Sequence, residues 1–262
     1  MTMTQTNRRE YLIRYLLDEQ LKYKDTEMPD DIQAQKRLLR SLMNVRSPKP
    51  ISEEFLRVQD DYLQEELSQK HITSVSDLLP LEPGIYVWQG DITTLACEAI
   101  VNAANSGMTG CYYPCHGCID NAIHSYAGVQ LRLECDAIIK AQGHEEPTGT
   151  AKITEAYNLP CRYVLHTVGP IITGSLKKQD EDLLASCYRS CLALAEEYGL
   201  KSIAFCCIST GEFRFPNQRA AEIAVETVRE YRKQTGSEIE VIFNVFKDLD
   251  DMIYRELLSD MY

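Results

Sequence analysis

Apolar residues recur along this chain with two different periods, and the change of period divides it. Up to about residue 72 the spacing is helical. Leu12, Tyr15 and Leu16 fall on one face of a first helix that the pattern carries through Leu21. Met28-Pro29-Asp30 breaks the run, and a second stripe follows at Ile32, Leu39, Leu42 and Met43. Ser47-Pro48-Lys49-Pro50 breaks it again. Ser52 is placed to cap a third helix with Glu53 and Glu54 in its first turn. The apolar side of that helix is Phe55, Val58, Tyr62 and Leu63. Nothing in this region has catalytic spacing. It reads as a helical extension that packs on the remainder of the chain or docks a partner.

After a linker over 73–84, with Pro80, Pro83 and Gly84, the pattern shifts to apolar runs of strand length. These lie at 85–91, 99–102, 162–168, 202–209 and 238–246. Helical patterns separate them at about 118–142, 180–198, 217–234 and 249–258. Strands alternating with helices predict an α/β fold with helices on both faces of the sheet.

Composition narrows this picture. With 262 residues, 44% apolar and 25% charged, the chain can hold one full domain and a smaller one. A net charge of −12 argues against non-specific binding to nucleic acid. No run of ~18 apolar residues is available to span a membrane, and no signal-like N-terminus is present. The expected location is therefore cytoplasmic. There the ten cysteines are thiols or metal ligands rather than disulfides.

Chemistry concentrates between Asn102 and His124, which gathers three cysteines, two histidines and Asp120 between a strand end and a helix start. Cys111, Cys115, His116 and Cys118 form C-x3-C-H-x-C. Thiolates with an imidazole suit Zn2+, and so short a cluster leaves a coordination position open for water or substrate. The alternative is a loop of free thiols. Asp120 is either a helix cap or a carboxylate that orients or deprotonates water. His124, one turn on, and His166, within a strand, read as packed residues. Gly90-Asp91-Ile92-Thr93 follows a strand. Asp91 there either caps a helix over 93–98 or accepts from an amine or hydroxyl. Ser209-Thr210-Gly211-Glu212-Phe213 is either a plain strand-to-helix turn or a backbone cradle for a diphosphate.

Taken in order, GDIT, VNAAN, IDNAIHSYAG, TGTAKITEAYNLP, YVLHTVGP and STGEFRFP resemble a macrodomain over about residues 84–260. That family binds ADP-ribose on an α/β/α fold. The loop GCYYPCHGCID stands where ordinary members carry a glycine-rich loop. It is similar to the zinc-containing microbial branch, which removes mono-ADP-ribose from protein and also has a helical N-terminal extension.

The resemblance implies a three-layer α/β/α macrodomain with a mixed central sheet over 73–262, preceded by the helical extension over 1–72. Asp91 and Ile92 would meet the adenine. Asn105 would bind the distal ribose, and Ile119 and Asp120 the distal ribose or diphosphate, with Asp120 and Asn105 catalytic. Cys111, His116 and Cys118 would hold zinc, leaving Cys115 a non-ligand neighbour. Ser209, Thr210, Gly211, Glu212 and Phe213 would wrap the diphosphate. Arg214 departs from the pattern, since many members have glycine there.

The implied activity is zinc-dependent hydrolysis of mono-ADP-ribose from an Asp- or Glu-linked acceptor protein, with ADP-ribose as product. Nucleic acid and membrane are not expected partners. Three other readings stay open: a module that binds ADP-ribosylated protein without cutting it, a deacetylase of O-acetyl-ADP-ribose, and a purely structural zinc.

Overall fold

Thr4, Asp31 and Ser52 each start a helix by accepting a backbone N–H three residues on: Asn7 at 3.2 Å, Ala34 at 2.7 Å and Phe55 at 3.2 Å. The helices are α1 (Gln5–Asp18), α2 (Ile32–Val45) and α3 (Glu53–Ser68). In this computed structural model, residues 3–23 and 25–259 are described. Residues 1–2 and 260–262, the outer ends of the two expected segments, lie outside the described residues. Leu12, Leu16, Leu39, Leu42, Phe55, Val58 and Tyr62 pack into a core of their own, into which Val129 also inserts. The first helix is shorter than its pattern. It ends at Asp18, and Leu21, in a 3-10 turn, is 89% exposed. Ile32 opens α2 but stays half exposed, away from the stripe that its spacing predicts.

The sheet strands are β2 (Ile85–Gln89), β4 (Ala99–Ala104), β5 (Ala151–Glu155), β6 (Tyr163–Val168), β7 (Ser202–Phe205) and β8 (Glu240–Val245). Two short strands, β1 (Thr73–Ser74) and β3 (Leu95–Ala96), pair separately. The order across the main sheet is β2-β8-β7-β4-β6-β5, parallel except for the β5–β6 edge pair. The sheet is mixed and flanked by α4 (Ile119–Ala127), α5 (Val129–Gln142), α6 (Lys178–Glu197), α7 (Asn217–Thr235) and α8 (Asp248–Ser259). The three-layer α/β expectation holds. Its main core is apolar strand residues such as Ile100, Val101, Leu165, Ile203 and Ile242 under helix residues such as Leu131, Leu184 and Ala224.

Three details differ from the pattern. β5 is not among the expected strands, because Ala-Lys-Ile-Thr-Glu at a sheet edge is only half buried and carries no apolar run. β7 stops at Phe205, and Cys206–Ser209 leave the ladder to shape a loop. The single helix expected over 118–142 is two helices, broken at Gly128 with φ +100°. Among the described residues, no helix is long and apolar enough to cross a membrane.

Candidate functional site

β4 pairs with β6 on one side and β7 on the other, so the chain's crossovers diverge at its carboxyl end. Open α/β sheets leave a crevice at such a point. Here a cavity of about 990 Å³ opens between the loop after β4 and the loop after β7. Asp91, Ile92, Asn105, Cys111, His116, Cys118, Ile119, Asp120 and Ser209–Phe213 all line it.

Asp120 enters from the first turn of α4 and is 5% exposed. Two amides donate to its carboxylate: Asn102 Nδ2 to Oδ1 at 2.8 Å and Asn105 Nδ2 to Oδ2 at 3.3 Å. Burial pushes its carboxyl up to about 6, against the pull of Asn102, Arg132 and Asn105. Cys118 caps the same helix, its Sγ accepting from Asn121 N at 3.4 Å. The helix-cap reading of Asp120 therefore does not hold: it sits inside the first turn, facing the cavity, and Cys118 does the capping.

The donor atoms of Cys111, His116 and Cys118 lie within 4.8 Å of one another. His116 Nδ1 is buried with no hydrogen-bond partner among the described residues, while Nε2 is 3.6 Å from Glu212 Oε1. Burial, with the adjacent Cys111 and Asp120, pushes the Cys118 thiol up to about 12. A thiolate here therefore needs a cation beside it. Cys115 turns the other way: its Sγ lies 3.2 Å from Ser41 Oγ, and its N donates to Asn44 Oδ1 at 2.9 Å.

Asp91 caps the turn that follows β2, its Oδ1 accepting from Thr93 N at 3.0 Å and from Thr93 Oγ1 at 2.6 Å. Its Oδ2 lies 3.9 Å from Lys70 Nζ. The loop after β7 takes positive φ at Ser209 (65°) and Arg214 (60°). Phe215 N donates back to Ser209 O at 2.9 Å, and Ile172 N to Phe213 O at 2.9 Å. Gly169 permits this loop to lie close, since a Cβ there would stand 2.0 Å from Ser209 Oγ.

A protein-ADP-ribose hydrolase from Treponema medium is 60% identical over 261 residues, covering 98% of this chain and all of that protein. The Macro domain family model matches residues 101–224. The chain belongs to the macrodomain family. A protein-ADP-ribose hydrolase from Staphylococcus aureus (strain MSSA476) is 51% identical over 254 residues, 96% of this chain and 95% of that protein. Among solved structures, the Trypanosoma brucei macrodomain in complex with ADP-ribose superposes with a TM-score of 0.66 at 31% identity, covering 84% of this chain and 94% of that one.

In this macrodomain each residue given a substrate, catalytic or metal role from sequence lies on the cavity wall. Cys115 and the exposed Arg214 lie outside the lining. Sequence reading missed Arg40 of α2 and Tyr126 of α4, which line the cavity, and Phe246, which lines it and is 76% exposed. It also missed Asn102, whose Nδ2 both donates to Asp120 and lies 3.2 Å from His166 Nδ1. A polar residue in an apolar strand gives no local signal of such a link. Nor does a helix stripe announce that an arginine beside it reaches another domain's loop.

Proposed function

We propose that this macrodomain hydrolyses mono-ADP-ribose from a modified protein, using zinc held by Cys111, His116 and Cys118. Two near-full-length relatives named protein-ADP-ribose hydrolase support the reaction class. The observation that carries the reading is Asp120, oriented by two amides on a cavity wall shared with a compact two-thiol, one-imidazole cluster. A cavity of about 990 Å³ suits a ligand the size of ADP-ribose.

The donor set fits zinc. Two sulfurs and an imidazole are borderline-soft ligands. Among the described residues His116 Nδ1 has no hydrogen-bond partner, and Glu212 Oε1, 3.6 Å from Nε2, stands on the side from which a carboxylate commonly orients a metal-bound imidazole. Zinc held by Cys111, His116 and Cys118 would supply Lewis-acid chemistry in the cavity that Asp120 and Asn105 also line.

The chain's own residues do the remainder. Asp91 and Ile92 receive the adenine, and the 209–213 loop turns its backbone N–H groups to the diphosphate. Asn105 and Asp120 align the distal ribose, so that its C1 presents one face to water. Water adds at C1 as the C1–O bond to the acceptor carboxylate breaks. The carboxylate leaves as an anion, and Asp120 takes the water's proton.

The test is direct. Purified chain is incubated with an acceptor mono-ADP-ribosylated on Asp or Glu, and free ADP-ribose is measured before and after chelation, alongside elemental analysis. We expect stoichiometric zinc, release of ADP-ribose, and loss of release on chelation that added zinc restores. Tight ADP-ribose binding without turnover identifies a reader instead. Faster turnover of O-acetyl-ADP-ribose than of protein identifies a small-ester hydrolase.

A further inference from the structure

The helical extension touches the body in two ways. One is ordinary packing. Gln59 Oε1 accepts from Val129 N at 2.9 Å, and Arg132 donates to the α2 end at Asn44 O, 2.7 Å. The other is a set of polar contacts from α2 to the backbone of the cysteine loop, and packing alone does not demand these.

Asn44 is 1% exposed. Its Oδ1 accepts from Cys115 N at 2.9 Å, and its Nδ2 donates to Ser125 Oγ on α4 at 2.8 Å. Cys115 stands at φ +51°, a conformation that side chains keep only where neighbours hold it. Arg40 Nη2 donates to His116 O at 3.2 Å and to Asn121 Oδ1 at 2.8 Å. Asn121, fully buried, passes this on by donating to Tyr113 O at 3.0 Å and to Cys111 O at 3.4 Å. The backbone at or beside Cys111 and His116 is therefore pinned by a side chain of α2 or by one that α2 holds. Cys118 is fixed separately, as the cap of α4.

We propose that Asn44 and Arg40 are positioning residues for the metal triad, and that the extension is thereby a structural component of the active site. The inference rests on the zinc reading above. Three donors on an eight-residue arc close on one cation only if the arc is held in shape, because ordering a free loop opposes binding. Residues that orient ligands without touching the metal are worth about 10–100-fold in affinity.

The experiment uses the full chain loaded with zinc. Zinc release into a colorimetric chelator is timed, the urea midpoint is measured, and kcat and KM are determined on ADP-ribosylated protein. Asn44→Ala and Arg40→Ala are expected to release zinc about 10-fold faster or more. Arg40→Lys should fall between Arg40→Ala and the wild type, because it keeps one donor and loses the fork. Gln59→Ala, which loosens the same interface away from the loop, should lower the urea midpoint but release zinc at the wild-type rate. The proposal is overturned if both α2 variants release zinc as slowly as the wild type, or if Gln59→Ala speeds release as much as they do. Should Asn44→Ala not fold, Arg40→Ala, a half-buried side chain, decides alone. A wild type that holds no zinc overturns the metal reading itself, a failure distinct from this one.

Discussion

At the scale of the residue, Asp120 is the group on which the proposed chemistry turns. It is buried, aimed by Asn102 and Asn105, and free of any direct cationic partner among the described residues except His124 Nε2 at 3.5 Å, which burial keeps neutral. Asp120→Asn keeps volume and helix position while removing the proton acceptor. We expect kcat to fall by about 10²–10⁴-fold, with the ADP-ribose Kd changed only a few-fold. Turnover of ADP-ribosylated protein and calorimetric titration with ADP-ribose check the two halves. A variant that loses binding and turnover together would make Asp120 a binding residue only. That Cys111, His116, Cys118 and Asp120 come together on one cavity wall was legible, because a loop that crowds thiols, imidazole and carboxylate together lacks the apolar periodicity of a packed segment. Asn102 was not, since its role lies in a partner 18 positions away. Arg214 was legible as a departure, and its φ of 60° gives the reason glycine suits the site.

Individual elements were readable where period and cap agreed, as in α3 with its Ser52 cap, whereas the Asp31 cap of α2 emerged only from the structure. They were not readable where tertiary contacts decide. The break between α4 and α5 hid inside a continuous apolar pattern, and β5 became a strand only through pairing with β6. Gly128 makes the break testable. It sits at φ +100°, and a Cβ there would stand 2.6 Å from Gln59 Nε2 and Gln130 Oε1. With ψ at 172° this is a region that side chains rarely enter, costing about 1–3 kcal/mol. Displacing Gln59 from Val129 N adds a lost buried hydrogen bond of about 1 kcal/mol. Gly128→Ala should therefore destabilise by about 2–4 kcal/mol. Gly143→Ala, in the milder left-handed helical region at φ +79° and ψ 5° with nothing within 4 Å, should cost only about 1–2 kcal/mol. Urea midpoints of the two variants compare them directly, and equal losses would remove the steric component.

For the whole molecule, the apolar pattern announces a helical extension and an α/β body, but not that one helps to build the site of the other. That join is made by side chains buried between them, and the same buried polar interior governs the response to acid. His166 is fully buried, with Asn102 Nδ2 donating to Nδ1 at 3.2 Å and Nε2 2.9 Å from Thr154 Oγ1. Cys135 Sγ lies 3.7 Å from Nε2, and the His124 ring centroid is 6.1 Å away. Burial lowers His166 from 6.5 to about 3 and holds His124 well below its ordinary value, helped by His166 and Arg132. Between pH 6.5 and about 3 the unfolded chain thus binds protons at these imidazoles that the folded chain refuses, so stability falls as pH falls. Each such proton contributes a slope of about 1.4 kcal/mol per pH unit. Asp120 works with the opposite sign: raised from 3.8 to about 6, it holds a proton in the fold that the unfolded chain has lost, and offsets one imidazole in that window. The two imidazoles together outweigh that one carboxyl, so the net slope from these three groups stays positive below pH 6. His166→Gln, which keeps an amide in place of the ring, should flatten the slope by about one proton relative to wild type. Urea midpoints from pH 7 to pH 4 measure both slopes. Metal loss in acid acts on both proteins alike, so the difference between the two curves isolates the imidazole, and parallel curves would mean that His166 does not set the acid limit.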